Sequence, residues 1–395
     1  MGTKDNVTLP ARAGVPPPDR GMIRVLFVAH NGYGYPHSRV RCYHFARVLA
    51  EQPGFESAVL SFRDDLAPHL SEEAMYFGLR DRHKMLLTLK AIPRLFSERH
   101  SLIYIQKAHF HSAAPFFLHR MDILPRYIFD YDDYDIPLSN FFGRGVWNRL
   151  FFGTNRWDEI TYRHARRALG CVASSYRLEE FLRIYNSHVV RVPTGVDTQL
   201  FQPGARSGLE VVYLWNGIIW GEPIYQNVQM IVRSFPKVAR AVPGARLLIV
   251  GEGRLWDRLL SDLAQQNDLP VSTIRSVPSD EMPGILRKAD VGLYPVVEET
   301  AWTAAKSPTK LFEYMAAGLA VVASDIGEAG LVIEDAEEGL LAQTEEEFVD
   351  AMIRVGRDAV LRRTLGENAR RKAESEYSLP VLGKRLAEFL CEVVG

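Results

Sequence analysis

The sequence predicts two doubly wound α/β domains, each built on a parallel sheet, that face one another across a cleft. Three observations predict this fold class. Short apolar strand patterns alternate with helical patterns, the alternation restarts after a segment rich in turn-forming residues, and 395 residues are too many for one ordinary core. A hydrophobic content of 47% and a charged content of 24% are typical of globular proteins. No apolar run reaches the length of about 18 residues that a membrane-spanning helix needs.

The first half of the chain carries the patterns of the first domain, which we place at residues 22–195. Residues 1–21 are rich in proline, glycine and polar residues and predict a disordered tail. A first strand at 25–29 is followed by a glycine-containing loop at 31–36 and a helix that runs to Leu49. Further strand patterns lie at 58–61, 102–106, 127–129, 170–173 and 189–192.

Residues 193–204 are rich in turn formers and have neither helical nor strand periodicity, which predicts an interdomain linker at 196–208. The alternation of strands and helices then restarts in a second domain at 209–378. Residues 379–395 predict an amphipathic C-terminal helix that packs back across the domains. The strand patterns of the second domain lie at 211–215, 246–250, 271–276, 291–295 and 319–323.

The most informative segment begins at Ser307 and predicts a helix start with an acid and a base beside it. Ser307 suits the N-cap and Pro308 the first helical position, so the N–H groups of Thr309 and Lys310 are expected to point out of the first turn. Such a helix start binds phosphate, and Lys310 adds a full charge. Glu313 lies one turn further on, where its carboxylate can accept from ribose hydroxyls. The alternative is an exposed Lys310–Glu313 pair of little consequence.

A second group of polar residues follows two strand patterns of the first domain. Asp130, Asp132 and Asp133 follow one strand, and three explanations stay open for them: contact with an acceptor or donor sugar, a metal-binding D-x-D motif, or a cap of the following turn. His109 and His111 follow the strand at 102–106, at the same predicted sheet edge. Each is either a polar cleft residue or an exposed loop histidine.

Charge is distributed unevenly along the chain. Residues 1–200 carry 26 basic and 20 acidic side chains, or +6, whereas residues 201–395 carry 21 and 28, or −7. A basic first half suits an acidic acceptor or an anionic membrane surface. Its sharpest cluster is the segment 141–167, where arginines alternate with aromatic residues. This segment fits a helix lying on a membrane, and it fits an ordinary amphipathic helix packed on a sheet equally well.

Three distant cysteines, Cys42, Cys171 and Cys391, argue against disulfides and against a thiolate metal cluster. They favour the reducing cytoplasm, with peripheral contact at the inner face of the membrane as an open possibility. The basic residues form no nucleic-acid-binding motif, so a nucleic-acid partner is not expected.

Several segments in a fixed order resemble one family. They are the glycine loop after the first strand, the linker beginning Val192-Pro-Thr-Gly-Val-Asp, the segment Leu247-Leu-Ile-Val-Gly-Glu-Gly, and the stretch from Ser307 to Asp325. Over residues 22–390 they resemble the retaining, nucleotide-sugar-dependent glycosyltransferases of the GT-B fold, family 4, also called glycosyl transferases group 1. The resemblance implies two Rossmann-like domains, the first for an acceptor and the second for a nucleoside diphosphate sugar. It implies transfer with retention to a glycan, lipid-linked or small-molecule acceptor, without a metal or other cofactor.

The resemblance also implies roles for individual residues. The helix after Ser307 holds the diphosphate and Glu313 binds the ribose, in agreement with the pattern described above. Asp132 lies roughly where many family members have a histidine facing the sugar, so the expected catalytic residues are Asp132, Lys310 and Glu313. Further donor contacts are expected from glycine-containing loops and from residues next to them: Gly32, Gly34, Gly217, Gly251, Gly253, Arg254, Ser276 and Val277. For each of the glycines, a tight turn is the alternative explanation.

Three positions depart from the family pattern. Ala305 stands where the family commonly has an acid that touches the donor sugar, and Ile218 and Gln226 stand where it has a phosphate-binding Arg and Lys. Oriented cations are important because the leaving diphosphate develops negative charge in the transition state. Two alternatives therefore stay open beside a transferase: a degenerate, non-catalytic partner subunit, and a nucleotide-sugar epimerase of the same fold.

Overall fold

A computed structural model describes residues 21–97, 100–124, 126–134, 136, 146–204, 210–266 and 269–395. The expected N-terminal tail, apart from Gly21, and residues 141–145 of the basic aromatic segment lie outside the described residues.

The first domain is built on a parallel sheet of six described strands in the order β2-β1-β3-β4-β5-β6. The central strands are buried along their whole length, as expected for a sheet with helices on both faces. The strands are β1 (Ile23–Ala29), β2 (Phe55–Ser61), β3 (Leu102–Gln106), β4 (Tyr127–Tyr131), β5 (Gly170–Ala173) and β6 (Val189–Arg191). The helices are α1 (Pro36–Ser38), α2 (His44–Ala50), α3 (Glu72–Phe77), α4 (Asp81–Ser97), α5 (Ala113–Arg120), α6 (Val146–Phe152), α7 (Trp157–Arg167) and α8 (Tyr176–Arg183).

The second domain repeats this architecture, with six described parallel strands in the order β12-β11-β10-β7-β8-β9. The strands are β7 (Val211–Ile218), β8 (Ala245–Glu252), β9 (Val271–Arg275), β10 (Val291–Tyr294), β11 (Ala320–Ser324) and β12 (Gly339–Ala342). The helices are α9 (Glu222–Ala241), α10 (Trp256–Ala264), α11 (Met282–Leu286), α12 (Ala301–Ala305), α13 (Thr309–Ala316), α14 (Ala329–Val332), α15 (Glu345–Arg357), α16 (Ala359–Lys372) and α17 (Leu379–Val394). The predicted fold class, two doubly wound parallel-sheet domains, is confirmed.

The helix predicted after the glycine loop is not one regular helix. A π-helical segment, Arg39–Tyr43, separates α1 from α2. Each extra residue in a π turn rotates the following side chains, and such turns are frequent at functional sites. Here the π turn contains Arg41, which points into the domain, and Arg39, which is half-buried.

The chain crosses between the domains twice, and the two crossings lie side by side. The N–H of Val196 donates to the carbonyl of Tyr377, and the N–H of Leu379 donates to the carbonyl of Val196. Helix α17 then packs on α2 and on one face of the first sheet. Its buried side chains Leu382, Leu386 and Leu390 belong to a core cluster of the first domain. The last helix of the chain therefore completes the first domain.

None of the helices in the described ranges has the length and apolar character that crossing a membrane would require.

Candidate active site

The order of strands in each sheet marks where a ligand should bind. In the second domain the strand order reverses between β7 and β10, because β8 and β9 extend the sheet on one side and β11 and β12 on the other. Ligands of such sheets bind outside the carboxyl ends of the strands at this reversal. Strand β7 ends at Ile218, and the segment after β10 leads into α12 and α13. The elements predicted to bind a nucleotide therefore converge at the expected edge.

Helix α13 starts one residue later than predicted, so Ser307 is not its N-cap and Pro308 is not its first helical residue. The helix begins at Thr309, and Pro308 holds the cap position without a side-chain hydrogen bond. Ser307 instead faces the interdomain segment. Its Oγ accepts the N–H of Thr194 (3.3 Å) and lies 3.0 Å from Thr194 Oγ1, to which Thr309 Oγ1 donates (3.2 Å). The hydroxyls of three residues thus tie the helix start to the interdomain segment.

Lys310 is half-buried and packs against the end of β7. Its Nζ lies 4.6 Å from the centroid of the Trp215 ring, and a Cβ at Gly217 would overlap the ammonium group. Glycine at 217 is therefore needed for this close approach. Burial, together with the nearby charge of Lys306, lowers the pKa of Lys310 to about 7, although Glu313 acts in the opposite direction. A buried ammonium of this kind binds an anion strongly because little water competes for it.

Glu313 lies one turn along α13 and is also half-buried. Burial raises the pKa of Glu313 to about 7, whereas Arg39, Lys310 and a hydrogen bond with Asn216 act in the opposite direction. Asn216 itself is fixed, because its Oδ1 accepts the hydroxyl of Tyr314 at 2.6 Å. The alternative of an exposed Lys310–Glu313 surface pair does not fit this burial. Two oppositely shifted titratable groups in one cleft are typical of a functional site.

The remaining predicted donor residues lie at or just after the ends of β8 and β9, next to β7. Gly251 lies in β8 and pairs with Gly217 of β7, and a Cβ at Gly251 would overlap the carbonyl of Gly217. Gly253 has a φ of +123°, which favours glycine. The N–H of Ser276 donates to the carbonyl of Gly251 (2.9 Å), which brings Ser276 and the half-buried Val277 to the same edge. Arg254 is exposed in the loop before α10. Their contacts with a donor stay predictions.

The three departures from the family pattern have distinct surroundings. Ile218 is half-buried at the end of β7, and Gln226 lies on α9, where its side chain donates to Glu222 (2.6 Å). Ala305 is only 3% exposed and packs with the core of the first domain, and its carbonyl accepts the hydroxyl of Ser175 at 2.7 Å. A carboxylate at position 305 would be buried in that apolar contact, which explains why a small apolar residue stands there.

The glycine loop of the first domain is held by carboxylates. The N–H of Gly32 donates to Glu72 Oε2 (3.1 Å) and the N–H of Tyr33 to Asp64 Oδ2 (2.9 Å). A Cβ at Gly32 would overlap the Asp64 carboxylate, so glycine is required there for packing. The N–H of Gly32 is bound within the domain, and the expectation that Gly32 faces a phosphate stays a prediction. Gly34, two residues on, is exposed.

The three acids of the segment 130–133 separate into different roles. Asp130 is completely buried and forms a two-point ion pair with Arg41, at 2.6 and 2.9 Å. The predicted contact of Asp130 with acceptor or sugar is therefore wrong, because its carboxylate is enclosed inside the domain. Arg41 also donates to the carbonyl of Val192 (2.8 Å), so the pair connects the centre of the sheet to the chain leaving it.

Asp132 and Asp133 lie at the carboxyl edge of the sheet and share a lysine that sequence reasoning did not select. Lys107 Nζ lies 3.5 Å from Asp132 Oδ1 and 3.6 Å from Asp133 Oδ2, and Gln106 donates to Asp132 Oδ2 at 3.1 Å. Lys107 has a φ of +58°, a left-handed backbone that directs its side chain across the edge. Among the described residues no group of three or more His, Cys, Asp or Glu side chains could hold a metal ion.

His109 and His111 are not exposed loop residues. With His30 they form a buried group of imidazoles, with ring centroids of His30 4.0 Å from His109 and 5.3 Å from His111. His111 is fully buried, and its Nε2 lies 2.7 Å from the carbonyl of Gln106. Burial lowers the pKa of His111 to about 3 and that of His109 well below its ordinary value. The predicted contact of His111 with an acceptor is corrected, since a neutral, enclosed imidazole supports the loop from beneath.

The comparisons with known proteins agree with this geometry. Residues 213–358 match the model of the family described as glycosyl transferases group 1. The chain is 25% identical over 237 residues to the GDP-mannose-dependent monoacylated alpha-(1-6)-phosphatidylinositol monomannoside mannosyltransferase of Corynebacterium glutamicum, covering 55% of this chain and 60% of that relative. It is 29% identical over 209 residues to the phosphatidyl-myo-inositol mannosyltransferase of Mycobacterium tuberculosis, covering 50% and 51%. The chain thus spans only about half the length of the curated relatives it matches.

Solved structures show the fold of the whole chain. The sucrose-phosphate synthase of Thermosynechococcus elongatus matches with a TM-score of 0.68 and 16% identity, over 94% of this chain and 99% of that chain. The Anabaena protein Alr3699/HepE, solved in complex with UDP, matches with a TM-score of 0.64 and 15% identity, over 94% and 100%. The second domain of this chain is therefore a group 1 glycosyltransferase domain, and the chain as a whole has the GT-B fold.

Proposed function

We propose that this protein is a glycosyltransferase that moves a sugar from a nucleoside diphosphate sugar to an acceptor with retention of anomeric configuration. The observation that carries the proposal is the start of α13 at the strand-order reversal, with Lys310 and Glu313 half-buried beside it. An N-terminal helix turn and a buried ammonium suit a diphosphate, and a carboxylate one turn on suits ribose hydroxyls. The relatives described above are named transferases. Their names support neither of the two alternatives, an epimerase or a non-catalytic subunit.

The chemistry requires both domains. The bond between the anomeric carbon and the diphosphate oxygen breaks while the acceptor oxygen attacks the same face. The departing phosphate oxygen takes the proton of the acceptor hydroxyl, so the step needs no protein nucleophile. The first domain supplies the edge at Asp132 and Asp133, which suits the hydroxyls of a sugar or acceptor. The second supplies the charge that stabilises the leaving diphosphate.

Two substitutions separate the roles of the nucleotide site. Glu313→Ala is expected to weaken binding of a nucleoside and of its diphosphate alike, by about ten- to hundred-fold, because both carry the ribose. Lys310→Ala is expected to weaken binding of the diphosphate by a similar factor and to leave the nucleoside unchanged. The measurement is calorimetry with UDP, GDP, ADP and dTDP and their nucleosides.

The matched controls for this experiment are exposed residues of the same domain, Glu346→Ala and Lys288→Ala, which should bind as wild type does. Wild-type protein that binds none of the four diphosphates would contradict the proposed function. An unchanged affinity of Glu313→Ala would contradict the ribose contact alone. Turnover is then tested with the sugar conjugates of the diphosphate that binds.

We further propose that the acceptor is lipid-linked and that the first domain rests on an anionic membrane. Helices α4, α5 and α6 contact one another and form one surface, here called the α4–α6 face. Arginines and a lysine border it: Arg82, Lys90, Arg94, Arg120 and Arg149. Its exposed apolar side chains are Leu86, Leu89, Phe96, Met121, Ile123, Val146 and Leu150. Apolar side chains bordered by cations are typical of surfaces that bind anionic lipid.

The basic aromatic segment 141–167 contributes to this surface only in part. Trp147, Phe152 and Trp157 are buried, so α7 and one side of α6 pack as ordinary amphipathic helices. Val146, which is 77% exposed, and Leu150 remain on the α4–α6 face. The relatives named above act, by their names, on phosphatidylinositol-linked substrates, which supports a lipid-linked acceptor here.

Vesicle sedimentation tests the membrane proposal. Wild-type protein is expected to pellet with phosphatidylglycerol vesicles and less with phosphatidylcholine vesicles, and added salt should weaken the binding. The double variant Leu89→Ser and Val146→Ser should bind at least about ten-fold more weakly, because two apolar side chains no longer enter the bilayer. Val360→Ser, an exposed valine of the second domain, is the control. Equal recovery with both lipids would oppose the proposal.

A further inference from the structure

The two phosphate-binding cations that family members carry are missing here at Ile218 and Gln226, and α13 by itself supplies only Lys310. A nucleoside diphosphate carries two to three negative charges at neutral pH, more than one lysine and a helix end balance. The structure places two further cations at this site. One comes from each domain, and neither belongs to the residues selected from the sequence.

Lys306 is the first of them. It caps the end of α12 and immediately precedes Ser307, and its half-buried ammonium lies 4.4 Å from the centroid of the Trp302 ring. It is close enough to Lys310 for its charge to lower the pKa of that lysine. Two ammonium groups held near each other repel, and the arrangement is stabilised when an anion binds between them.

Arg39 is the second cation and lies across the cleft, in the π turn after the glycine loop. Its Nη1 lies 3.5 Å from the carbonyls of both Tyr33 and Gly34, distances too long for strong hydrogen bonds. Its charge reaches Glu313 of α13, whose pKa it lowers. Arg39 of the first domain is therefore near enough to Glu313 of the second for their charges to interact.

Arg39 and Lys310 interact with the charge of Glu313 at longer range, but none of the three cations forms a direct ion pair with the described acids. In the part of the chain that the structure describes, no carboxylate oxygen lies within 4.0 Å of the charged nitrogens of Arg39, Lys306 or Lys310. By contrast, Lys107 at the carboxyl edge of the first sheet contacts two carboxylates. Three cations thus lie near one another, without ion-pair partners and partly removed from water. This arrangement is costly in free energy unless an anion binds to it.

We infer that Lys306, Lys310 and Arg39 together bind the diphosphate of the donor and replace the cations absent at Ile218 and Gln226. The inference rests on the proposed function, and it names the residues that supply the positive charge of the donor site. Arg39 gives the site a property that the replaced positions would not provide. Because one of the three cations belongs to the first domain, a bound diphosphate draws the two domains together, and the donor affinity depends on how closely they approach.

Calorimetry with the tightest of UDP, GDP, ADP and dTDP, and with its nucleoside, tests the inference. Lys306→Gln and Arg39→Gln are each expected to lower the affinity for the diphosphate by about ten- to hundred-fold and to leave the nucleoside affinity unchanged. Arg39→Lys should recover part of the loss. The controls are Lys288→Gln and Arg363→Gln, exposed residues of the second domain that should behave as wild type.

The outcomes separate the inference from the function on which it rests. If the wild type binds and turns over the donor, and Lys306→Gln and Arg39→Gln keep the wild-type affinity for the diphosphate, the inference is overturned. The glycosyltransferase assignment then stays intact. A parallel loss of nucleoside and diphosphate affinity would also overturn it, because that loss reports a disturbed cleft rather than lost charge. Wild-type protein that binds none of the four diphosphates would overturn both.

Discussion

Replacing Asp130 by alanine is expected to destabilise the first domain by about 3–5 kcal/mol, the largest stability effect of any substitution considered for this protein. Asp130 and Arg41 are both completely buried and meet through two hydrogen bonds. Removing the carboxylate leaves an enclosed guanidinium whose remaining contacts among the described residues include the carbonyl of Val192 and the ring of Phe45, and neither carries a negative charge. The desolvation cost of that charge is then no longer offset.

Chemical denaturation followed by circular dichroism measures this loss. Glu56→Ala is the matched control, since it breaks an exposed ion pair with Arg24 and should cost less than about 1 kcal/mol. The double variant Arg41→Met and Asp130→Leu should be more stable than Asp130→Ala, because no buried charge remains. If Asp130→Ala loses less stability than Glu56→Ala, the buried Arg41–Asp130 pair contributes no more than an exposed ion pair does.

Glu328→Gln is expected to change stability with a clear dependence on pH. Glu328 is 3% exposed, lies in the second domain and accepts the N–H of Tyr176 at the start of α8 of the first domain (2.7 Å). Burial raises the pKa of Glu328 to about 7, although the N–H of Tyr176 and the charge of Arg191 oppose the shift. This carboxyl therefore links the domains, and its burial favours the neutral form.

The sign of the effect follows from proton binding. Between the ordinary pKa of 4.5 and the folded value of about 7, the folded chain holds a proton on Glu328 that the unfolded chain has released. The contribution of Glu328 is thus fully present below pH 4.5 and is lost as the pH rises through 7. Glutamine stays neutral, so Glu328→Gln should gain on the order of 2–3 kcal/mol relative to wild type between pH 5 and pH 8.5.

Thermal unfolding of both proteins across this pH range is the measurement. The control variant, Glu337→Gln, replaces an exposed acid of the same domain. Its stability should differ from that of wild type by the same amount at every pH. A Glu328→Gln difference that does not change between pH 5 and pH 8.5 would refute the raised pKa.

The architecture was predictable because hydrophobic periodicity is a local property of the sequence. The strand after Gly318 and the linker near Pro193 are marked by turn residues and apolar runs within a few positions. The placement of Lys310 and Glu313 on one helix was predictable for the same reason, since residues three apart share a helix face.

The errors concern side chains whose partners are distant in the sequence. Asp130 is paired with a residue 89 positions earlier, and Ser307 with one 113 positions earlier. No local pattern distinguishes a buried Asp130 from the cleft residue Asp132 two positions on. The π turn that contains Arg39 is likewise not indicated by a regular helix period.

The position of α17 has a consequence for how the protein is made. Because Leu382, Leu386 and Leu390 complete a core of the first domain, the domain that is synthesised first lacks part of its interior until α17 has left the ribosome. A fragment ending near residue 200 would expose the face of β1 and α2 that this helix covers. We therefore expect the second domain, whose strands are contiguous in the chain, to fold independently, and the first to mature only after α17 has been synthesised.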